Sequence, residues 1–156
     1  MNLFLKGGEV ATENEAPQRA DVWIADGTIK AVEVMDAPKG ARVVDCSGQI
    51  IMPGMFDAHV HFREPGQEKK ETILDGTEAA INGGITGVVM MPNTSPSIDS
   101  PTVVKREFDQ GARCRIPVLT SACITVDRKG HEMAPIAGLK EAGILMLTDD
   151  GDAVPN

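Results

Sequence analysis

The chain has 156 residues, 42% hydrophobic and 24% charged, with 15 basic and 23 acidic side chains giving a net charge of −8. That is enough apolar material for a packed domain, which excludes a disordered chain, and the acidic balance argues against a nucleic-acid module built on phosphate contacts. No apolar run approaches the ~20 residues of a membrane span, the N-terminus lacks a signal-peptide pattern, and Cys46, Cys114 and Cys123 form no CxxC pair, so the expectation is a cytoplasmic protein with free thiols.

In chain order, residues 1 to about 50 read as a small β module of short strands and turns. Asp21-Val22-Trp23-Ile24-Ala25 alternates polar and apolar side chains at the strand period. Asp26-Gly27 is a hairpin-turn signal, and Thr28-Ile29-Lys30-Ala31-Val32 supplies the returning strand. Ala41 to Cys46 is a further strand, ended by Ser47-Gly48. The polar stretch from Glu9 to Arg19 contains Pro17 and reads as a loop or hairpin tip.

The character changes at Ile50-Ile51-Met52-Pro53-Gly54, which divides the chain into a β module over 1–50 and an alternating α/β domain over 51–156. Met55 to Phe62 reads as a buried strand. Glu68 to Asn82 has helical spacing, with Lys69, Lys70 and Glu71 as its exposed start and Gly83-Gly84 as its stop. Ile85 to Met91 is a continuous apolar strand of the kind found in a parallel sheet covered on both faces. A turn-rich loop leads to a helix over Pro101 to Gly111, with proline at its start. Ile116 to Ile124 is the next strand, Ala134 to Ala142 a helix stopped by Gly143, and Ile144 to Thr148 a last short strand. Strand and helix alternate through this half, as in parallel sheets with right-handed crossovers.

The residues with chemical potential gather at the C-terminal ends of these strands: His59 and His61, then Asn93, then Asp149 and Asp150. That is where a (β/α)8 barrel carries its active site, and no GxGxxG turn points instead to a dinucleotide fold. A complete barrel has eight strands in about 250 residues. The expected fold is therefore the first half of a TIM barrel, preceded by a small β-sandwich module. Residues two apart on a strand face the same side, so His59 and His61 present two imidazoles together, a suitable pair for zinc or a similar ion. Asp57 lies on the same face, as a ligand or as a group that orients one. Asp149 or Asp150 can add a carboxylate. His131, in a polar loop, reads as a solvated side chain.

The string Asp57-Ala58-His59-Val60-His61-Phe62-Arg63-Glu64-Pro65-Gly66 resembles the first-strand signature of the amidohydrolase superfamily, and within it the dihydroorotases of type I. Met91-Pro92-Asn93-Thr94-Ser95-Pro96 and Thr148-Asp149-Asp150-Gly151 continue the match in the same order. The resemblance implies metal ligation by His59, His61 and Asp150, with one or two zinc ions. It implies that Arg63 and Asn93 bind the substrate carboxylate, for which an arginine fork is chemically apt. No lysine follows Lys140 before the final aspartates, so the carboxylated lysine of many relatives is not expected.

The implied reaction is reversible hydrolysis of the cyclic amide dihydroorotate to N-carbamoyl-aspartate in pyrimidine synthesis. The family's general acid/base lies on later strands, so no catalytic proton-transfer residue is assigned in this chain. By itself the chain is expected to be inactive and to need a C-terminal half or a second copy. The alternatives are another cyclic amidohydrolase (hydantoinase, dihydropyrimidinase or allantoinase) or a non-catalytic partner of aspartate transcarbamoylase.

Overall fold

The structure is a computed structural model that describes residues 1–13 and 15–155. The chain forms two units, Met1–Pro53 and Gly54–Asn156.

The first unit is a mixed sheet of β1 (Asn2–Thr12), β2 (Glu15–Ala25), β3 (Thr28–Glu33), β4 (Arg42–Asp45) and β5 (Ile50–Ile51). The order is β3-β2-β1-β4, and β5 also pairs with β1. Asp26 and Gly27 both take positive φ, 52° and 73°. This is the mirror-image turn that matches strand twist, and it sets Ala25 opposite Thr28. Phe4 and Val22 are fully or almost fully buried in the sheet. Buried Asp21 accepts hydrogen bonds from the backbone N–H groups of Met35 and Gly7. The Met35 bond is the main cause that holds its carboxyl below the ordinary value.

The stretch Glu9 to Arg19 is more ordered than its polar composition suggests. Pairing runs on through Glu9↔Arg19, Val10↔Gln18 and Thr12↔Glu15. Pro17 falls where the register shifts between Val10 and Thr12, a position that needs no ladder donor. Asn14, within this stretch of the sequence, lies outside the described residues.

The second unit is a parallel sheet in the order β6-β7-β8-β9, formed by β6 (Met55–Val60), β7 (Ile85–Met90), β8 (Val118–Ala122) and β9 (Met146–Leu147). The connections carry α1 (Ile73–Asn82), α2 (Pro101–Gly111), a 3-10 turn at Val126–Arg128, and α3 (Ile136–Glu141). It is a half barrel, with β6 and β9 as open edges among the described residues. Val88 and Val89 are successive and both fully buried, so β7 is covered on both faces as its apolar run predicts. The core joins Val88, Met90, Val118 and Ala122 of the strands to Ile73, Val104 and Leu139 of the helices. Apart from Ala122, each such side chain contributes roughly 1.5–3 kcal/mol through burial. At the edges Met55, Phe56, Met146 and Leu147 stay substantially exposed.

Helix α1 starts later than the periodicity from Glu68 predicts. Lys69, Lys70 and Glu71 belong to the preceding loop, because two caps define the start. Thr72 accepts from the N–H of Asp75, and the Glu64 carboxylate accepts from the N–H of Ile73. The loop before it turns at Gly66, whose φ is +98° and where a Cβ would collide with the carbonyl oxygen of Ser95. This close approach ties the segment after β6 to the one after β7, and Ser95 N–H donates to the carbonyl of Pro65. Helix α2 spans the predicted residues. Strands β8 and β9 and helix α3 are shorter at both ends than their apolar runs.

Candidate metal centre

His59 on β6 and His61, one residue past its end, turn their rings to the same side. His59 Nε2 and His61 Nε2 stand 3.1 Å apart, with the rings edge-on at 63°. Asp57 is not a third donor to this pair: its carboxylate accepts from the backbone N–H of His59 at 3.0 Å and so braces the strand end. Asp150 follows β9 and reaches the pair from across the sheet. Its two oxygens lie 3.5 Å from His59 Nε2 and 3.5 Å from His61 Nε2, one to each ring. The three residues thus bring one donor atom each to a common point, all within 4.8 Å of one another.

Two imidazole lone pairs at 3.1 Å repel unless a proton or a cation lies between them. The spacing also suits a cation. Ligands at 2.0–2.1 Å around a tetrahedral ion are separated by about 3.3 Å along an edge. The observed separations of 3.1, 3.5 and 3.5 Å bracket that value. Two histidines and a carboxylate are a borderline-to-hard donor set, appropriate to zinc and similar divalent ions.

Around these donors lies a shell that the sequence reveals only in part. His61 Nδ1 sits 3.0 Å from Asn93 Oδ1, in the loop after β7. Asp149, 3% exposed, is fully used internally. It accepts from Ile124 N–H at 2.8 Å, Thr125 N–H at 3.1 Å and the Thr125 hydroxyl at 2.5 Å. Its structural role leaves Asp150 as the carboxylate facing the histidines. Arg128 donates to the backbone carbonyl of Asp150 at 2.7 Å and pairs with Asp152 at 3.0 Å. No sequence motif marks Arg128; its partner is 22 positions away in the chain.

Arg63 follows buried Phe62 and is half-buried. Its carbonyl accepts from Gln67 N–H. Its guanidinium forms no ion pair with the described residues, so it keeps its full donor fork. His131 is exposed and stands apart from the cluster. Cys123 is no nucleophile: burial, with Asp149 and Asp99 nearby, pushes its thiol up to about 12. No helix among the described residues is long and apolar enough to cross a membrane.

Residues 48–155 match the family model described as dihydro-orotase-like. The chain is 41% identical over 159 residues to a dihydroorotase of Citrifermentans bemidjiense, covering all of this chain and 38% of that protein. It is 43% identical over 155 residues to a dihydroorotase of Bacillus subtilis, covering 97% of this chain and 36% of that one. The chain therefore spans little more than a third of the length of these relatives. Among solved structures it superposes on an L-hydantoinase (dihydropyrimidinase) from Arthrobacter aurescens with a TM-score of 0.80 at 23% identity, over 94% of this chain and 32% of that one. A dihydroorotase structure matches with a TM-score of 0.64 at 16% identity, over 94% and 41%. These likenesses show the shared fold. With the family model matched over both the strand-end histidines and the final aspartates, the chain belongs to the dihydro-orotase-like family of the amidohydrolases and corresponds to an N-terminal portion of its members.

Proposed function

We propose that this chain carries the metal-binding and carboxylate-recognising part of a dihydroorotase, which hydrolyses dihydroorotate reversibly to N-carbamoyl-aspartate in pyrimidine synthesis. The observation that carries the metal reading is the convergence of His59 Nε2, His61 Nε2 and the Asp150 carboxylate. In this reading those three residues hold zinc. When bound, zinc polarises the amide carbonyl and makes water a stronger nucleophile at neutral pH. Arg63 supplies a fork of N–H donors for the ring's carboxylate and so orients the scissile amide. Asn93 adds a second polar contact to the same carboxylate. Asp149 and Arg128 keep Asp150 in place from behind. The donors of this chain leave room in the coordination sphere for water, substrate or further ligands. The N-terminal sheet is proposed as one layer of a composite β-sandwich, because Ile29, Val32 and Val34 remain exposed on it.

The competing reading is a neutral cyclic amide, such as a hydantoin or a dihydropyrimidine. The fold shared with the hydantoinase is compatible with it. Arg63 and the dihydroorotase relatives favour the carboxylated ring. Arg63→Met in the full-length gene product separates the two. Loss of dihydroorotate turnover, mostly through a raised KM, supports the proposal. Unchanged dihydroorotate kinetics, or greater turnover of the neutral ring by the unaltered enzyme, supports the competing reading.

A further inference from the structure

The outer nitrogen of His61 shows how one metal donor is prepared. A neutral imidazole carries a single ring proton, and which nitrogen holds it depends on the partner of the other. If Nε2 is to give its lone pair to a cation, Nδ1 must carry the proton and needs an acceptor. Asn93 Oδ1, 3.0 Å from His61 Nδ1, is placed to be that acceptor. Asn93 is well placed to act as a fixed post. It sits between buried Pro92 and buried Thr94, whose hydroxyl donates to the carbonyl of Pro96 at 2.7 Å. The same loop is tied at Ile98 N–H to Pro92 and at Ser95 N–H to Pro65.

A carboxamide has two ends of opposite character. With the oxygen engaged by Nδ1–H, the NH2 group is the end left to meet an anion. We infer that Asn93 is a positioning residue for the metal as well as a substrate contact: its oxygen locks His61 in the Nδ1–H tautomer, with Nε2 bare and aimed at His59 and Asp150, and this leaves its NH2 as the only end able to meet the substrate carboxylate. The inference rests on the reading of His59, His61 and Asp150 as a metal centre. It separates the two functions of Asn93 chemically, because an acceptor alone suffices for the first and a donor is required for the second.

The test uses the full-length gene product, freed of metal and titrated with zinc against a competing chromophoric chelator. Asn93→Ala removes the acceptor, and loss of such a partner typically weakens metal affinity by about 10–100-fold. Asn93→Asp keeps an acceptor, so zinc affinity stays within about threefold of the unaltered protein or rises, while the KM for dihydroorotate increases. Long-range nitrogen–proton spectra of the metal-free protein report the tautomer directly: one Nδ1–H form of His61 in the unaltered protein and in Asn93→Asp, a mixture in Asn93→Ala. Wild-type zinc affinity in Asn93→Ala overturns the inference and leaves the metal centre standing. So does equal loss of zinc in both variants. Failure of the unaltered protein to bind zinc overturns the metal reading and this inference with it.

Discussion

Glu107 carries a charge that the fold does not welcome. It lies on α2 with its side chain 1% exposed, and neither carboxylate oxygen has a hydrogen-bond partner among the described residues. Burial pushes its carboxyl up to about 7; Arg106, 3.9 Å away, pulls it down, while Glu64 and Glu68 push it up further. The native state therefore holds a proton that the unfolded chain, with an ordinary value of 4.5, has released. The stabilisation from this group is complete below pH 4.5 and is lost as the pH rises through 7. Between pH 5 and pH 8 the loss is roughly 2–3 kcal/mol. Glu107→Gln keeps the shape and removes the titration. Denaturant melts of the full-length gene product at pH 5, 6, 7 and 8 read the difference between variant and parent. The two are expected to agree near pH 5, with the variant gaining to an advantage of roughly 2–3 kcal/mol at pH 8. A difference that does not change with pH, or a variant that loses stability at pH 8, refutes this account and makes Glu107–Arg106 a stabilising ion pair.

Two further outcomes follow from the packing. Asp149→Ala leaves the N–H groups of Ile124 and Thr125 without their acceptor, at about 1–3 kcal/mol for each buried group; a change below about 1 kcal/mol in a denaturant melt would place the support of this loop elsewhere. The half barrel exposes two parallel edges, β6 with Met55 and Phe56 and β9 with Met146 and Leu147, and such edges invite pairing. The 156-residue chain alone is expected to run as an oligomer or aggregate in size-exclusion chromatography, and a monomer with a cooperative melt would contradict this.

Much of this architecture is legible locally. Asp26-Gly27 announces its turn because only a few residues accept positive φ. Pro101 marks the first residue of α2, and the run from Ile85 to Met90 announces a strand covered on both faces. The histidines are legible because strand alternation puts residues 59 and 61 on one side. What escaped depends on partners far apart in sequence. The start of α1 is set by Glu64 reaching nine positions forward to Ile73, which overrides the helical periodicity from Glu68. The long hairpin over Glu9 to Arg19 is held by backbone pairing, to which polar side chains give no clue. The contact of Asn93 with His61 spans 32 positions, and only the assembled β6–β7 edge brings it about. The same holds for Asp149, which its position at the strand end does not tell from Asp150, although the family resemblance points to Asp150. Burial assigns them: Asp149 is enclosed by the backbone of the loop after β8, and Asp150 is left to face the rings.

Whether His59, His61 and Asp150 hold one divalent ion is tested most directly by a crystal of the full-length gene product soaked in zinc and measured on both sides of the zinc absorption edge. An anomalous peak within bonding distance of His59 Nε2, His61 Nε2 and an Asp150 oxygen is expected. Zinc bound at full occupancy elsewhere, with no peak between these three side chains, would contradict the metal reading.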